Sequence, residues 1–212
     1  MTTVFLLSPA YCGGRRAASL LRPQSSLPIA SRLQRGALTL GEAFTFCSGL
    51  YFRGKITYAR AFAPDATLVI TPTRGLQLPD AMVNADVIRE FAGVDIASDD
   101  ARYREPLERD LYTLAARLPD DARVVLLGSV ATGKYVDVLT QRLGAQLHFP
   151  SEFIGRGDMS RGGLLLRHAA SGLELDYVPV TSNTNRRGPR PPKLDPRTRV
   201  PVVRHIRLSV RV

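Results

Sequence analysis

Short apolar runs recur along the first two thirds of the chain: TTVFLLS at 2–8, ATLVITP at 66–72 and ARVVLLG at 122–128. Each ends in small or polar residues. Continuous apolar runs of this length suit strands buried on both faces of a parallel sheet. Around them lie stretches with helical spacing, at Arg15–Leu21, over 42–62, at Tyr103–Leu118 and at Tyr135–Leu143. Alternating strand and helix predicts right-handed crossovers and an α/β fold, a single three-layer Rossmann-like domain with a mainly parallel sheet. QLHFP (146–150) and LELDYVPV (173–180) are candidate further strands, the second alternating enough to be an edge.

At Thr181 the pattern changes. TSNTNRRGPRPPKLDPRTR is polar, basic and proline-rich, so the expected division is an α/β domain over 1–180 and a basic arm in extended conformation over 181–212. The final RHIRLSVRV alternates again, with Ile206, Leu208, Val210 and Val212 on one face and Arg207 and Arg211 on the other. An edge strand at that end is the alternative to a purely extended arm.

With 212 residues, 44% of them hydrophobic, the chain can bury one sizeable core. Its net charge of +10 is uneven, because 181–212 hold nine of the 29 Lys and Arg and one of the 19 Asp and Glu. The body is therefore nearly neutral, and an argument from charge for a nucleic-acid partner is an argument about the arm. Cys12 and Cys47 are too few for a disulfide framework and lack metal-ligand spacing, so neither a metal nor a cofactor is expected. The first residues lack a positive segment ahead of the apolar run and read as a strand rather than a signal peptide. No stretch approaches the roughly 20 apolar residues of a membrane span. The expectation is a soluble cytoplasmic protein with no membrane partner.

GSVATGKY (128–135) comes within one residue type of the phosphate loop GxxxxGK[ST]. Gly128, Gly133 and Lys134 are in place, but Tyr135 stands where a short hydroxyl would hold magnesium. No downstream strand ends in an evident Walker-B aspartate. A magnesium-dependent NTPase is disfavoured, and two readings stay open: a tight strand-to-helix turn, or a metal-free anion site built from the amides around Ser129, Thr132 and Gly133 with Lys134 beside them.

Ligands of open parallel sheets bind beyond the carboxyl ends of the strands, where three polar loops are expected to meet. SPAYCGGRR supplies Ser8, Cys12 and Arg15; a thiol near a helix start beside two arginines is a candidate nucleophile, against the plainer reading of a half-buried thiol. TPTRGLQLPD supplies Arg74 and Gly75, with Arg74 either an anion ligand or a solvated charge. After the fourth strand, Asp158 is expected to N-cap a helix from Met159 and is a second catalytic candidate. Arg156 and Arg161 flank it, for a phosphate or base contact or for an ion pair within one turn. In LYFRGKITYARAF, Arg53, Lys55 and Arg60 interleave with aromatics including Tyr58. This pattern can stack on bases and neutralise phosphates, or belong to an ordinary core helix. In the arm, Arg186, Arg187, Arg190 and Lys193 are the candidate nucleic-acid contacts.

VFLLSPAYCGG, LYFRGKITYARAF, LVITPTRGLQLPD and IGRGDMSRGG follow one another in an order that resembles a group of bacterial and phage α/β domains. That group is related to the peroxide-stress protein YaaA and to modules beside deazaguanine tRNA or DNA modification enzymes. The resemblance covers about residues 2–165 and rests on Ser8 and Pro9, Leu50 to Arg53 with Tyr58 and Ala59, and Gly75, Leu76, Pro79 and Asp80. The chain departs from the pattern where Tyr11-Cys12-Gly13-Gly14 replace an expected lysine. The resemblance implies association with a nucleic acid or nucleobase.

The leading functional reading is a nucleic-acid or nucleotide-binding α/β protein, with action on a nucleobase as an option and the site at the strand ends. The runner-up is a small-molecule phosphate-binding transferase or hydrolase, and the third is a non-enzymatic interaction module. The sequence does not choose between enzyme and binder.

Overall fold

The structure, a computed structural model, describes residues 2–96, 99–131, 133–181, 184 and 186–195. The three apolar runs form β1 (Thr3–Leu7), β3 (Thr67–Ile70) and β6 (Arg123–Leu127). β1 lies between the other two and pairs with both in parallel, Leu7 standing opposite Val69 and Leu127. β7 (Leu147–Pro150) adds in parallel to β6. The edges are short and antiparallel, β4 (Leu76–Gln77) against β3 and β8 (Tyr177–Pro179) against β7. The order is β4-β3-β1-β6-β7-β8, and a separate two-stranded ribbon joins β2 (Leu38–Thr39) to β5 (Met82–Val83).

Because successive side chains of a strand point to opposite faces, each central strand feeds two cores. Phe5, Leu7, Val69, Val125 and Leu127 pack under α1 (Arg15–Leu21), α2 (Pro28–Gln34), α3 (Leu40–Ser48), α4 (Leu50–Phe62), α5 (Ala85–Ala92) and α8 (Asp158–Ser171). Val4, Leu6, Val124 and Leu126 pack under α6 (Ala101–Ala115) and α7 (Gly133–Leu143). The result is three layers with a mostly parallel sheet in the middle. None of the described helices is long and apolar enough to cross a membrane.

Several expectations change. The helix expected over 42–62 is two helices, broken at Gly49, whose φ of 66° and ψ of −127° lie outside what a side chain tolerates. α2 and α5 were not legible as periodic runs; they start on local chemistry instead, Pro28 in the first turn of one and the Asn84 side chain capping Val87 N in the other. α8 begins at Asp158, not Met159. Gly157 is its extended N-cap, and the Asp158 carboxylate stands in the first turn, where it complements the helix dipole. Residues 186–195 of the arm cross the body: Arg187 donates to Ala131 O at 3.2 and 3.3 Å, and Arg156 to Pro192 O at 3.5 Å. The strand expected in RHIRLSVRV lies outside the described residues.

Candidate functional site

β1 and β6 end side by side, and the chain leaves them towards opposite layers, β1 into α1 and β6 into α7. The gap between their following loops is a cleft of about 490 Å³. Its floor is Ser8, the first residue after β1. Its walls include Tyr11, Cys12, Tyr51, Pro72 and Tyr135, and Arg15, Arg16, Lys134 and Asp158 stand around it. No carboxylate pairs with Arg15, Arg16 or Lys134 among the described residues.

Beneath the floor sits Lys55, 1% exposed. α4 presents Tyr51, Phe52, Lys55, Ile56, Tyr58 and Ala59 inwards, a helical stripe that places the lysine among apolar side chains. Its Nζ donates to Ser8 O at 2.6 Å and to Ser8 Oγ at 3.0 Å. It also lies 4.4 Å from the ring centre of Tyr51 and 4.8 Å from that of Phe52. Burial pushes the ammonium down to about 7, with Asp158 opposing that shift and Arg161 adding to it. Ser8 Oγ in turn donates to Leu127 O at 3.4 Å, and Gly128 leaves the room: a Cβ there would come within 2.9 Å of Ser8 Cβ.

The Tyr51 hydroxyl is buried without a partner in hydrogen-bond geometry among the described residues. Burial raises its pKa, the charge of Arg161 drawing it partly back. Cys12 is buried, and its thiol lies 3.6 Å from Ala10 O. Contact with the Cys47 thiol, then burial, pushes Cys12 up; the same contact, and the charge of Arg16, lower Cys47. Within this pair of thiols the thiolate is disfavoured at Cys12 and favoured at Cys47.

The remaining candidates disperse. Lys134 and Ser129 border the cleft, but the start of α7 is already faced by a carboxylate: a Cβ on Gly133 would lie 2.1 Å from Asp137 Oδ2. Tyr135 is buried in the core under α7, so the magnesium position of a phosphate loop is filled by packing. Thr132 lies outside the described residues. Arg74 makes a two-pronged pair with Glu90, at 2.7 and 3.2 Å, and Gly75, at φ 60°, packs on Pro106 O and Asp110. Arg161 is buried, donating to Phe153 O and lying 3.6 Å from Asp158, while Arg156 holds Glu152 O.

On α4 the interleaved residues face opposite ways. Lys55 and Tyr58 are buried, Arg53 is exposed, and Arg60 pairs with Asp80 at 2.5 Å. In the arm, Arg187 is taken up by Ala131 O, whereas Arg190 and Lys193 are exposed and Arg186 half-buried. Arg16, Tyr11, Tyr51 and Tyr135 join the cleft although sequence reasoning did not assign them to it. A signal existed for the Lys55 position: a lysine in the middle of an apolar helical stripe is either snorkelling or functional.

Comparison with protein-family models, with curated proteins and with solved structures finds no match to this chain.

Proposed function

We propose that the cleft binds a small anionic ligand of the nucleotide class. The observation that carries this reading is the set of three cations, Arg15, Arg16 and Lys134, placed around one concave site with no carboxylate paired to them among the described residues. Some exposed cations elsewhere in the fold meet a carboxylate instead, as Arg74 meets Glu90 and Arg60 meets Asp80. A cavity of about 490 Å³ falls within the range of small-molecule sites. A phosphate would meet the cations, the flat face of the exposed Tyr11 would take a base, and Asp158 would accept from a hydroxyl or amino group. The position at the strand ends, where the chain turns to opposite layers, supports a Rossmann-like mode of binding. The resemblance to deazaguanine-associated domains is part of this reading, as is an intracellular setting in which both thiols stay reduced.

Thermal shift against a panel of nucleosides, mononucleotides and inorganic phosphate tests it. A mononucleotide at 100 times its Kd stabilises by about 2.7 kcal/mol. For a chain of this size that is roughly 5–10 °C in Tm. The shift should be absent in Arg15→Ala/Lys134→Ala, whose own Tm stays close to wild type because solvated cations contribute little to folding. No shift from any nucleotide at millimolar concentration would sink the reading.

A second reading, a nucleic-acid polymer held by the arm, is favoured by the nine basic residues against one acidic residue in 181–212. It requires oligonucleotide affinity that falls steeply with salt and survives Lys134→Ala.

A further inference from the structure

The contact between Ser8 and Lys55 is not needed for ligand binding and is costly to the fold. A lysine almost fully withdrawn from water, with no carboxylate bonded to it among the described residues, is an unfavourable feature of a core. A methionine would fill the same space. What the lysine adds is a nitrogen 3.0 Å from one hydroxyl, and that hydroxyl belongs to the residue at the floor of the cleft. The same nitrogen is anchored by its 2.6 Å bond to Ser8 O, so its position relative to Oγ is set by two points. Strand β1 orients Ser8, and Gly128 keeps the space around its side chain free of another Cβ.

We propose that Ser8 is the nucleophile of an acyl-transfer or hydrolysis reaction on an ester carried by a small anionic molecule, with Lys55 as its general base. Only the choice of an anionic substrate rests on the binding reading above. In the amine form, Lys55 Nζ takes the Oγ proton as Oγ attacks the ester carbonyl carbon, and the carbonyl π pair moves onto oxygen. The tetrahedral intermediate collapses as the carbon–alkoxy bond breaks, and the leaving alcohol takes the proton from the Lys55 ammonium. This leaves acyl-Ser8. Water, deprotonated by the Lys55 amine, then attacks the acyl carbon, and Ser8 Oγ leaves with the proton, restoring the starting state. No oxidant or further reactant is required.

The environment of Lys55 fits this role. The groups facing it are the Tyr51 and Phe52 rings and Ser8, with Asp158 and Arg161 acting through space in opposite senses, so a large share of the amine is unprotonated near neutrality. Tyr51, on the same wall and four residues before Lys55 on α4, holds the unpartnered buried hydroxyl. Tyr51 lines the cleft, and a phenol donor on that wall would serve an incipient carbonyl oxyanion.

The test uses the full chain, an uncharged fluorophosphonate, and p-nitrophenyl esters with neutral and anionic acyl groups, read by intact mass, peptide mapping and release of nitrophenol. The fluorophosphonate should add one label on Ser8, at a rate that rises through about pH 7. That label should be lost in Ser8→Ala and slowed at least 100-fold in Lys55→Met, with Tyr51→Phe slowing ester turnover. Thermal melts accompany every variant. A folded wild-type chain that takes no label and releases no nitrophenol overturns the proposal even if Lys55→Met fails to fold. Labelling elsewhere than Ser8, or labelling of Ser8 at an equal rate in a folded Lys55→Met, also overturns it. Because the label is uncharged, labelling without nucleotide binding would remove the anionic ligand and keep the dyad. Nucleotide binding without labelling would do the reverse.

Discussion

Lys55 is the residue whose placement works most against its chemistry. Its amine is depressed to about 7 by burial, whereas in the unfolded chain it titrates near 10.4. Between these values the unfolded state binds the extra proton, so this group makes stability rise with pH from about 7 to about 10, by up to roughly 1.4 kcal/mol per pH unit. Below about pH 7 the effect is constant and unfavourable. Lys55→Met should lack the rise: the difference in Tm between variant and wild type moves in the variant's disfavour as pH goes from 7 to 9.5. A difference independent of pH would mean that Lys55 stays charged when folded.

Two helix-level devices hold the cleft's walls. α4 and α8 cross at glycines: a Cβ on Gly54 would lie 2.6 Å from Gly162 O, and one on Gly162 would lie 2.7 Å from Leu50 O. The obstacle is backbone, which a rotamer change cannot relieve, so Gly54→Ala should cost about 1–3 kcal/mol. That outweighs the roughly 1 kcal/mol that alanine gains over glycine in a helix. A lowered urea midpoint checks it, and a raised one would show that the helices separate freely. At α3, Thr39 and Glu42 form a capping box, and Arg32 grips Glu42 at 2.7 and 2.9 Å. Arg32, then the Thr39 amide, hold the Glu42 carboxyl down to about 2. A depressed carboxyl stabilises above its unfolded pKa of about 4.3 and loses that contribution as pH falls towards about 2. Both side chains are about two-fifths exposed, so Glu42→Gln should cost only about 0.5–1 kcal/mol at pH 7. Denaturant curves at both pH values should show the cost vanish near pH 2.

For the whole molecule, the arm carries charge and also packs. Leu194 reaches the core at Gly163, Gly188 lies against Ile154, and Arg187 holds the loop before α7. Removing 186–212 should therefore lower Tm by several degrees, since burying even part of a leucine contributes about 1 kcal/mol. It should also flatten the salt dependence of any duplex DNA binding, by about 0.9 in slope for each lost phosphate contact. An unchanged Tm would reduce the arm to a charged appendage.

The apolar runs were enough to determine the central strands β1, β3, β6 and β7, the edge at β8 and the α/β class, because burial on both faces leaves no polar alternation to misread. Ser8, Cys12, Arg15, Ser129, Lys134 and Asp158 were legible as cleft residues for the same reason: strand ends in a parallel sheet converge. What the sequence alone could not decide was direction and partnership. Arg74 and Lys134 are both cations that follow a strand end, one in a loop and one in the first turn of α7, but Glu90 meets the first and no carboxylate meets the second among the described residues. Lys55 and Arg60 share one helix, yet rotation about its axis buries the first beneath Ser8 and sends the second out to Asp80. Gly49 split one periodic stretch into two helices through a backbone angle that periodicity does not encode. Each outcome depends on which distant residue arrives opposite. Local pattern determines which side chains are buried, and only tertiary packing sets what a buried amine or hydroxyl finds within 3 Å.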